Sequence, residues 1–320
     1  MSLEEIGFYT LSDVRVKQVS SESPMWRCEL ILTDRCNFNC PYCRGLKKGL
    51  EGDMPLERAK FIIDVWSKKG LKNIRFSGGE PTLYPYLVEL VEYCREKGVE
   101  RIAVSTNGSN KWELYNRLVT AGVNDFSISL DACCSSTGDI MAGNKKGVWN
   151  KVVENIKQLS KVTYVTLGVV LTPETLKTVA DITKFGSSLG VADIRIISSA
   201  QSNDALPIED IPVELLKKHP ILKYRVNHFK TGRKVRGIQK TDSHRCGLVI
   251  DDSAVVGQYH FPCIIYLREQ GAPIGKVSQN MREERIKWAK NHDCFKDPIC
   301  KNNCLDVCID YNNKYRDCHE

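Results

Sequence analysis

Residues 32–46, LTDRCNFNCPYCRGL, place three cysteines in one short segment that follows an apolar run. Cys36, Cys40 and Cys43 are spaced C-x3-C-x2-C, so three thiolates can converge from a single loop. A cubane iron–sulfur cluster normally takes four thiolate ligands. A loop that supplies three leaves one iron open, as a catalytic zinc site keeps an open position. The spacing therefore predicts a metal centre at which chemistry takes place.

The alternative for this loop is a structural zinc site or a set of free thiols. Zinc knuckles and ribbons usually pair C-x2-C with a second ligand pair nearby. No cysteine follows Cys43 before Cys94. Cys94 itself lies on an apolar helical face, and Cys28 lies inside a predicted strand, so both are interpreted as core residues. The iron–sulfur interpretation is favoured.

The composition sets broad limits. The chain has 320 residues, enough for one large or two medium domains, and 14 cysteines. It shows neither a leading apolar segment nor a run of the roughly 18 apolar residues that a membrane helix needs. Clustered cysteines in a reducing compartment are more often metal ligands than disulfides. We therefore expect a cytoplasmic protein without a membrane segment, in an anaerobic or protected setting.

The net charge of +7 has three possible sources, which are nucleic-acid binding, an anionic substrate and a lysine-rich surface. The densest basic region is 225–245, but no run of five basic residues occurs. The surface explanation is favoured. Nucleic acid is not expected as a partner, because no recognisable RNA-binding module accompanies the charge.

Six apolar segments alternate with helical periodicity along the first 200 residues. The pattern predicts strands at 26–33, 73–77, 101–105, 125–131, 164–171 and 194–198. Helices are predicted between them, for example over 112–121 and 174–189. Such alternation favours an α/β fold with a parallel sheet. Six units fall short of the eight of a closed TIM barrel.

Two motifs together carry a family resemblance. The cysteine loop, with Tyr42 before its third cysteine, and Ser77-Gly78-Gly79-Glu80-Pro81 resemble the signatures of the radical S-adenosylmethionine (radical SAM) enzymes. The resemblance covers about 26–200. It implies a partial (β/α)6 TIM-like barrel whose open iron is chelated by the amino and carboxylate groups of SAM. An electron from the reduced [4Fe-4S] cluster, supplied by a donor such as flavodoxin or ferredoxin, would split SAM. The resulting 5'-deoxyadenosyl radical would abstract hydrogen from a substrate.

A weaker resemblance, to the SPASM and Twitch extensions of the superfamily, covers 246–318. The predicted organisation is an N-terminal arm (1–25), the barrel (26–200), a linker or irregular cap (201–245) and a small cysteine-rich iron–sulfur module (246–320). The module holds seven cysteines, at Cys246, Cys263, Cys294, Cys300, Cys304, Cys308 and Cys318.

The spacing of these seven cysteines, without matching histidines, suits iron–sulfur ligation better than a zinc finger. It also departs from the SPASM pattern, since Asn291 stands where the first cysteine of the central group would fall and Cys308 is additional. Seven thiolates can make one fully ligated [4Fe-4S] cluster and one with an open position, or one cluster with spare thiols. Two auxiliary clusters are preferred.

Predicted ligand-binding residues follow the carboxyl ends of the strands, where ligands bind in parallel α/β sheets. By resemblance, the glycine motif meets SAM. Ser129 and Asp131 share one face of strand four and are suited to ribose hydroxyls, although Asp131 can instead cap the next segment. Asn107 either contacts SAM or makes an Asx turn. The full set of predicted SAM-binding residues is Tyr42, Gly78, Gly79, Glu80, Pro81, Asn107, Ser129, Asp131, Arg195 and Ser198.

The roles of three predicted site residues, Arg195, Cys133 and Cys134, remain open. Arg195 can pair with the SAM carboxylate or belong to a structural ion pair. Cys133 and Cys134, just after strand four, are candidate hydrogen-atom donors if they face the barrel mouth, and are otherwise inert thiols.

The leading functional hypothesis is hydrogen abstraction from a small polar metabolite, carbohydrate or aminoglycoside-like, for dehydrogenation or epimerisation. A peptide-modifying enzyme, for ribosomal peptide maturation or cross-linking, is the alternative. A peptide-docking domain at the N-terminus would favour it, but residues 1–25 look too short for such a domain. RNA modification and a non-enzymatic iron–sulfur electron-transfer protein are further alternatives. The last leaves residues 78–81 unexplained.

The cysteine loop gives a direct prediction. Replacement of Cys40 by alanine should abolish SAM cleavage and leave the C-terminal iron in place, because the open-iron arrangement needs all three thiolates. Iron content and 5'-deoxyadenosine formation measure the two effects. Wild-type turnover by Cys40→Ala would contradict the assignment.

Overall fold

Six parallel strands form the centre of the computed structural model, which describes residues 13–46, 49–200 and 211–319. In chain order they are β1 (Arg27–Thr33), β2 (Asn73–Gly78), β3 (Arg101–Thr106), β4 (Asp125–Ser129), β5 (Tyr164–Leu171) and β6 (Asp193–Ser198). They pair in the order β6-β5-β4-β3-β2-β1. Within the described residues β6 is an edge, so the barrel does not close. The predicted partial (β/α)6 barrel is confirmed.

Most helices of this part of the chain pack near the strands, whereas the first packs against the last helix of the chain. They are α1 (Asp13–Gln18), α2 (Leu56–Ser67), α3 (Leu87–Glu96), α4 (Trp112–Ala121), α5 (Ser135–Met141), α6 (Val148–Leu159), α7 (Pro173–Leu176), α8 (Val179–Ser188), α9 (Val213–Lys218) and α10 (Pro220–Lys230). The single helix predicted over 174–189 is divided into α7 and α8, because Thr178 leaves the helical conformation. Residues 1–12 of the predicted arm lie outside the described residues.

Alternate side chains on each strand have different surroundings. Ile74 and Phe76 of β2 are fully buried in the apolar core under the helices. Arg75 and Ser77, on the other face, line an internal cavity. Successive strand residues point to opposite faces, and the other barrel strands follow the same rule. The interior of the barrel is therefore polar, and the hydrophobic core lies between sheet and helices.

About half of the described part of the predicted linker or cap, residues 211–245, is helical. Residues 201–210 lie outside the described residues, α9 matches the predicted amphipathic piece, and α10 was not predicted. Pro220 occupies the first helical turn, where its missing N–H costs nothing. Leu222 and Val226 are buried against the barrel core. The sequence of α10 hides this packing, because its apolar positions are interrupted by charged residues such as Arg225, which is itself buried.

The cysteine-rich segment continues the same sheet. Its elements are α11 (Leu248–Asp251), β7 (Asp252–Val256), β8 (Tyr259–Phe261), α12 (Ile264–Arg268), β9 (Gly275–Lys276), α13 (Met281–Asn291), α14 (Pro298–Asn303) and α15 (Asp306–His319). β7 pairs in parallel with β1, and β8 and β9 add antiparallel strands. Among the described helices, none is both long and apolar enough to cross a membrane.

A buried ion pair joins the barrel to the last helix. Arg225 of α10 donates to Asp306 at the start of α15, and both side chains are almost completely buried. His228 Nδ1 lies 2.8 Å from the other Asp306 oxygen. Removal of one partner of a buried pair leaves an uncompensated charge.

We therefore expect Asp306→Ala to lower the free energy of unfolding by about 3–5 kcal/mol. Glu100→Ala is the matched control, since its pair with Lys72 is exposed and exposed pairs contribute at most about 1 kcal/mol. Urea unfolding of both variants measures the difference. Equal shifts of the unfolding midpoint would contradict the structural role of Asp306.

Candidate functional site

A cavity of about 880 Å³ lies where the predicted motifs meet. The predicted residues among those that line it are Cys36, Cys40, Tyr42, Cys43, Gly78, Gly79, Glu80, Asn107, Ser129, Asp131, Arg195, Ser198, Cys263 and Cys308. The carboxyl ends of the barrel strands and the cysteine-rich segment thus line the same cavity.

All three thiols of the loop line this cavity, and the charges of Cys36 and Cys43 reach Cys40. Backbone amides approach two of the sulfurs, with Phe38 N 3.4 Å from Cys36 Sγ and Gly45 N 3.3 Å from Cys43 Sγ. Burial, with the nearby Asp131 charge, raises the pKa of Cys40 to about 12. Metal binding replaces such protons. Three convergent thiols with amide donors fit an iron–sulfur cluster that has one open iron.

The glycine motif is fixed to the cysteine loop by its backbone. Gly79 N donates to Thr33 O and Glu80 N donates to Arg35 O, both at 2.8 Å. A Cβ at Gly79 would overlap the Arg35 carbonyl, and Gly78 has a φ of +147°, which favours glycine. The sequence suggested that these glycines make room for a ligand. The structure shows that they also make room for the cysteine loop.

Glu80 connects the ends of β2 and β3. One carboxylate oxygen accepts bonds from Thr82 N (3.0 Å), Thr82 Oγ1 (2.6 Å) and Thr106 Oγ1 (2.6 Å), and the other accepts from Asn107 N (2.7 Å). Asn107 Oδ1 in turn accepts from Ser109 N at 3.0 Å, which is the predicted Asx turn. Both residues line the cavity and also brace its wall.

Asp131 links the cysteine loop to β5. The Tyr42 hydroxyl donates to one of its oxygens, and Val170 N donates to the other at 2.6 Å. Burial raises the pKa of Asp131 to about 6, while the two hydrogen bonds act in the opposite direction. Asp131 therefore bonds across to β5, and among the described residues it makes no bond to the segment that follows it.

Arg195 and Ser198 of β6 each have a buried polar atom without a hydrogen-bond partner in the part of the chain that the structure describes. Arg195 Nη2 lies 3.5 Å from Ser127 Oγ, a long contact, and its Nε has no hydrogen-bond partner. No carboxylate pairs with it in the described ranges, so the structural ion pair is not observed. Burial lowers the pKa of Arg195 to about 10. Ser198 Oγ is buried and also has no partner.

Among the predicted site residues of the barrel, Pro81, Cys133 and Cys134 do not line the cavity. Pro81 is buried at the start of a short 3-10 turn, Pro81–Leu83. Cys133 packs against the apolar core, and Cys134 is exposed before α5. Hydrogen bonding with Ser136 and Thr137 lowers the pKa of Cys134 to about 7. The position of the two thiols gives the predicted donor role no support.

Six of the seven C-terminal cysteines lie together. Hydrogen bonding to Cys294, followed by burial, raises the pKa of Cys246 well above its ordinary value. The sulfur atoms of Cys294 and Cys300 lie within 4.8 Å of each other. The charges of Cys246 and Cys263 raise the pKa values of Cys304 and Cys308, so these four thiols also lie near one another. Cys318 is exposed near the carboxyl end of α15.

Two site residues have no sequence signal of their own. Arg268, at the end of α12, donates to Gly45 O and to Gly78 O, both at 2.7 Å. Arg44 of the cysteine loop pairs with Glu269, the next residue along. One segment of the cysteine-rich region thus holds both the cysteine loop and the glycine motif.

Comparison with known proteins identifies the family of the barrel part of the chain. The sequence model of the radical SAM superfamily matches residues 30–186. These residues belong to the radical SAM superfamily, whose members use a [4Fe-4S] cluster and SAM. A probable GTP 3',8-cyclase of Saccharolobus solfataricus is 31% identical over 179 residues, which are 54% of this chain and 57% of that protein. The chain spans about half the length of the curated relatives it matches.

Solved radical SAM structures match most of the chain. SuiB of Streptococcus suis, bound to precursor peptide SuiA, gives a TM-score of 0.60 at 13% identity over 91% of this chain and 69% of that one. anSMEcpe with bound AdoMet gives a TM-score of 0.61 at 16% identity over 92% and 94%. These likenesses show a shared fold that includes the cysteine-rich region.

The contact between the two motifs can be tested by Gly79→Ala. The added Cβ must displace the Arg35 carbonyl and so the radical SAM cysteine loop, and a displacement near 1 Å costs roughly 100-fold in rate. SAM cleavage by the reconstituted variant measures this effect.

Gly98→Ala is its control. Gly98 also has a positive φ, but open space surrounds it. The substitution should cost about 1–2 kcal/mol of stability and leave SAM cleavage intact. Equal activity of Gly79→Ala and Gly98→Ala would contradict the proposed contact.

Proposed function

We propose that the chain reductively cleaves SAM and abstracts hydrogen from a substrate bound in the barrel cavity. The observation that carries the proposal is the placement of Cys36, Cys40 and Cys43 in the lining of a cavity shared with the glycine motif. When bound, the reduced cluster supplies the electron that divides SAM into methionine and a 5'-deoxyadenosyl radical. A flavodoxin or ferredoxin is the proposed electron donor.

The residues of the chain have separable tasks in this proposal. The cysteine loop holds the cluster. The strand ends of β2, β3 and β4 bind and orient SAM, since Gly79, Asn107 and Ser129 line the adjoining wall. The cysteine-rich region contributes Cys263 and Cys308 to the lining of the same cavity.

The charge of the cavity favours an anionic substrate. Arg195 and Arg236 line it, both have an Nε without a partner, and neither has a carboxylate partner among the described residues. The pKa of each is lowered to about 10 by burial. A buried guanidinium is stabilised by a carboxylate or phosphate, which it can bind with two parallel hydrogen bonds. A cationic aminoglycoside does not complement these groups.

The names of the relatives agree with this substrate class. Several matching proteins are named for a reaction on GTP, which is a polyanion. The names of these relatives do not refer to carbohydrate dehydrogenation. We therefore propose a small, polar, anionic metabolite as the substrate, in place of the carbohydrate or aminoglycoside expected from the sequence.

A peptide is the second candidate. SuiB and anSMEcpe, which share the fold over about nine tenths of this chain, were both solved with peptides bound. An acidic side chain or a terminal carboxylate of a peptide would satisfy the same arginines. The fold likeness supports a peptide, and the names of the relatives support a small metabolite.

The activity itself is tested by anaerobic reconstitution, reduction with dithionite and assay of 5'-deoxyadenosine from SAM. We expect product from the wild-type chain. A fully clustered protein that forms no product would contradict the enzymatic proposal.

The anionic subsite gives a separate prediction. Inorganic pyrophosphate should bind the reconstituted wild type and raise its melting temperature. Arg195→Gln should weaken binding by roughly 10- to 100-fold, because a hydrogen bond to a charged group contributes about 1.5–3 kcal/mol. Arg58→Gln, outside the cavity lining, is the control. Unchanged pyrophosphate binding by Arg195→Gln would contradict the assignment.

A further inference from the structure

We propose that His292 is a metal ligand, and that it completes a Cys₃His centre with Cys246, Cys294 and Cys300. The predictions from sequence placed only thiolates in this region and included Cys318. The inference concerns the metal content of the cysteine-rich region, and it does not rest on the proposed SAM reaction.

The geometry of three donors supports the centre directly. Ligand atoms of His292, Cys294 and Cys300 all lie within 4.8 Å of one another. His292 Nε2 is 3.9 Å from Cys300 Sγ. Bonds of 2.0–2.3 Å to a tetrahedral ion place its ligands about 3–4 Å apart, so small side-chain adjustments close the site. Cys246 packs against the same buried cluster as Cys294 and Cys300, which places its thiol beside the other three donors.

The backbone holds the two ligand segments together. Cys294 N donates to His244 O at 2.8 Å, and Arg245 Nη1 donates to His292 O at 3.2 Å. The chain just before Cys246 is therefore fixed against the chain that carries His292 and Cys294. These contacts bring together ligands that are far apart in sequence.

Neighbouring side chains orient the remaining donors. The imidazole of His292 stacks on Trp288 of α13, with ring centroids 4.0 Å apart and an interplanar angle of 16°. Asp297 accepts bonds from Ile299 N (2.8 Å) and Cys300 N (2.9 Å) at the start of α14, which fixes the position of Cys300. Fixed orientation of the ligands is typical of metal sites.

An ion pair with Asp297 is the competing role for His292. The distance from His292 Nε2 to Asp297 Oδ2 is 3.5 Å, outside the usual range of an N–H···O hydrogen bond. The Asp297 carboxylate is also engaged by the Tyr266 hydroxyl at 2.9 Å. Cys318, in contrast, is exposed, and it is not part of the group of ligand atoms found among the described residues. His292 is therefore the better fourth ligand.

The assignment divides His292 and the six clustered cysteines into a set of four donors and a set of three. Cys263, Cys304 and Cys308 remain, and Cys263 and Cys308 line the substrate cavity. Three thiolates at the cavity would hold a cluster with one open position. The Cys₃His centre would be closed and structural, as four-ligand sites of this composition are.

The test compares His292→Ala with two controls, Cys318→Ala and Asp297→Asn, in the anaerobically reconstituted full chain. Iron, zinc and sulfide per chain are measured before and after exposure to a chelator. We expect His292→Ala to lose one centre at least tenfold faster than the wild type, and both controls to keep it. Asparagine still caps α14, so Asp297→Asn isolates the ion pair.

A second measurement separates ligation from a packing role. His292→Cys should retain the metal and lose the nitrogen scatterer in X-ray absorption at the edge of the metal found, whether zinc or iron. It also keeps the test informative if His292→Ala fails to fold. Full retention of metal by His292→Ala, loss of metal from Cys318→Ala, or an unchanged absorption spectrum in His292→Cys would each overturn the proposal.

Discussion

The convergence of three thiolates from one irregular loop is the constraint on which the rest of the structure depends. A loop without its own ladder of hydrogen bonds must be held from outside. Thr33 O and Arg35 O accept bonds from Gly79 N and Glu80 N, and Arg268 bonds both Gly45 O and Gly78 O. The glycine motif and the cysteine-rich region thus hold the same loop from two sides.

The second constraint is the polar interior of the barrel. Arg75 and Arg101 pair with Asp125, and Glu29 accepts from Ser77 at 2.8 Å, so most interior charges are compensated within the sheet. Arg195 is an exception, since no carboxylate of the described residues pairs with it, and its burial is costly unless a ligand supplies an anion. The unsatisfied donors of the protein therefore point to the chemistry of the substrate more directly than the overall charge of +7 does.

Local patterns in the sequence were enough for the barrel, the cysteine loop and the glycine motif, because each of these depends on short-range periodicity or spacing. Arg268, His292 and α10 were not predicted. Arg268 acts through backbone carbonyls more than a hundred residues away, and its role has no local pattern. His292 was passed over because the expected spacing for the region contained only cysteines. The buried Arg225 obscured the apolar face of α10.

The central claim is that Cys36, Cys40 and Cys43 hold a cluster with an open iron to which SAM binds. The most direct measurement is the electron paramagnetic resonance spectrum of the reduced, reconstituted chain before and after addition of SAM. The account predicts that SAM changes the g values of one cluster signal, and that 17O and 15N labels in its carboxylate and amino groups couple to that signal. A spectrum that SAM leaves unchanged, with no such coupling, would contradict it.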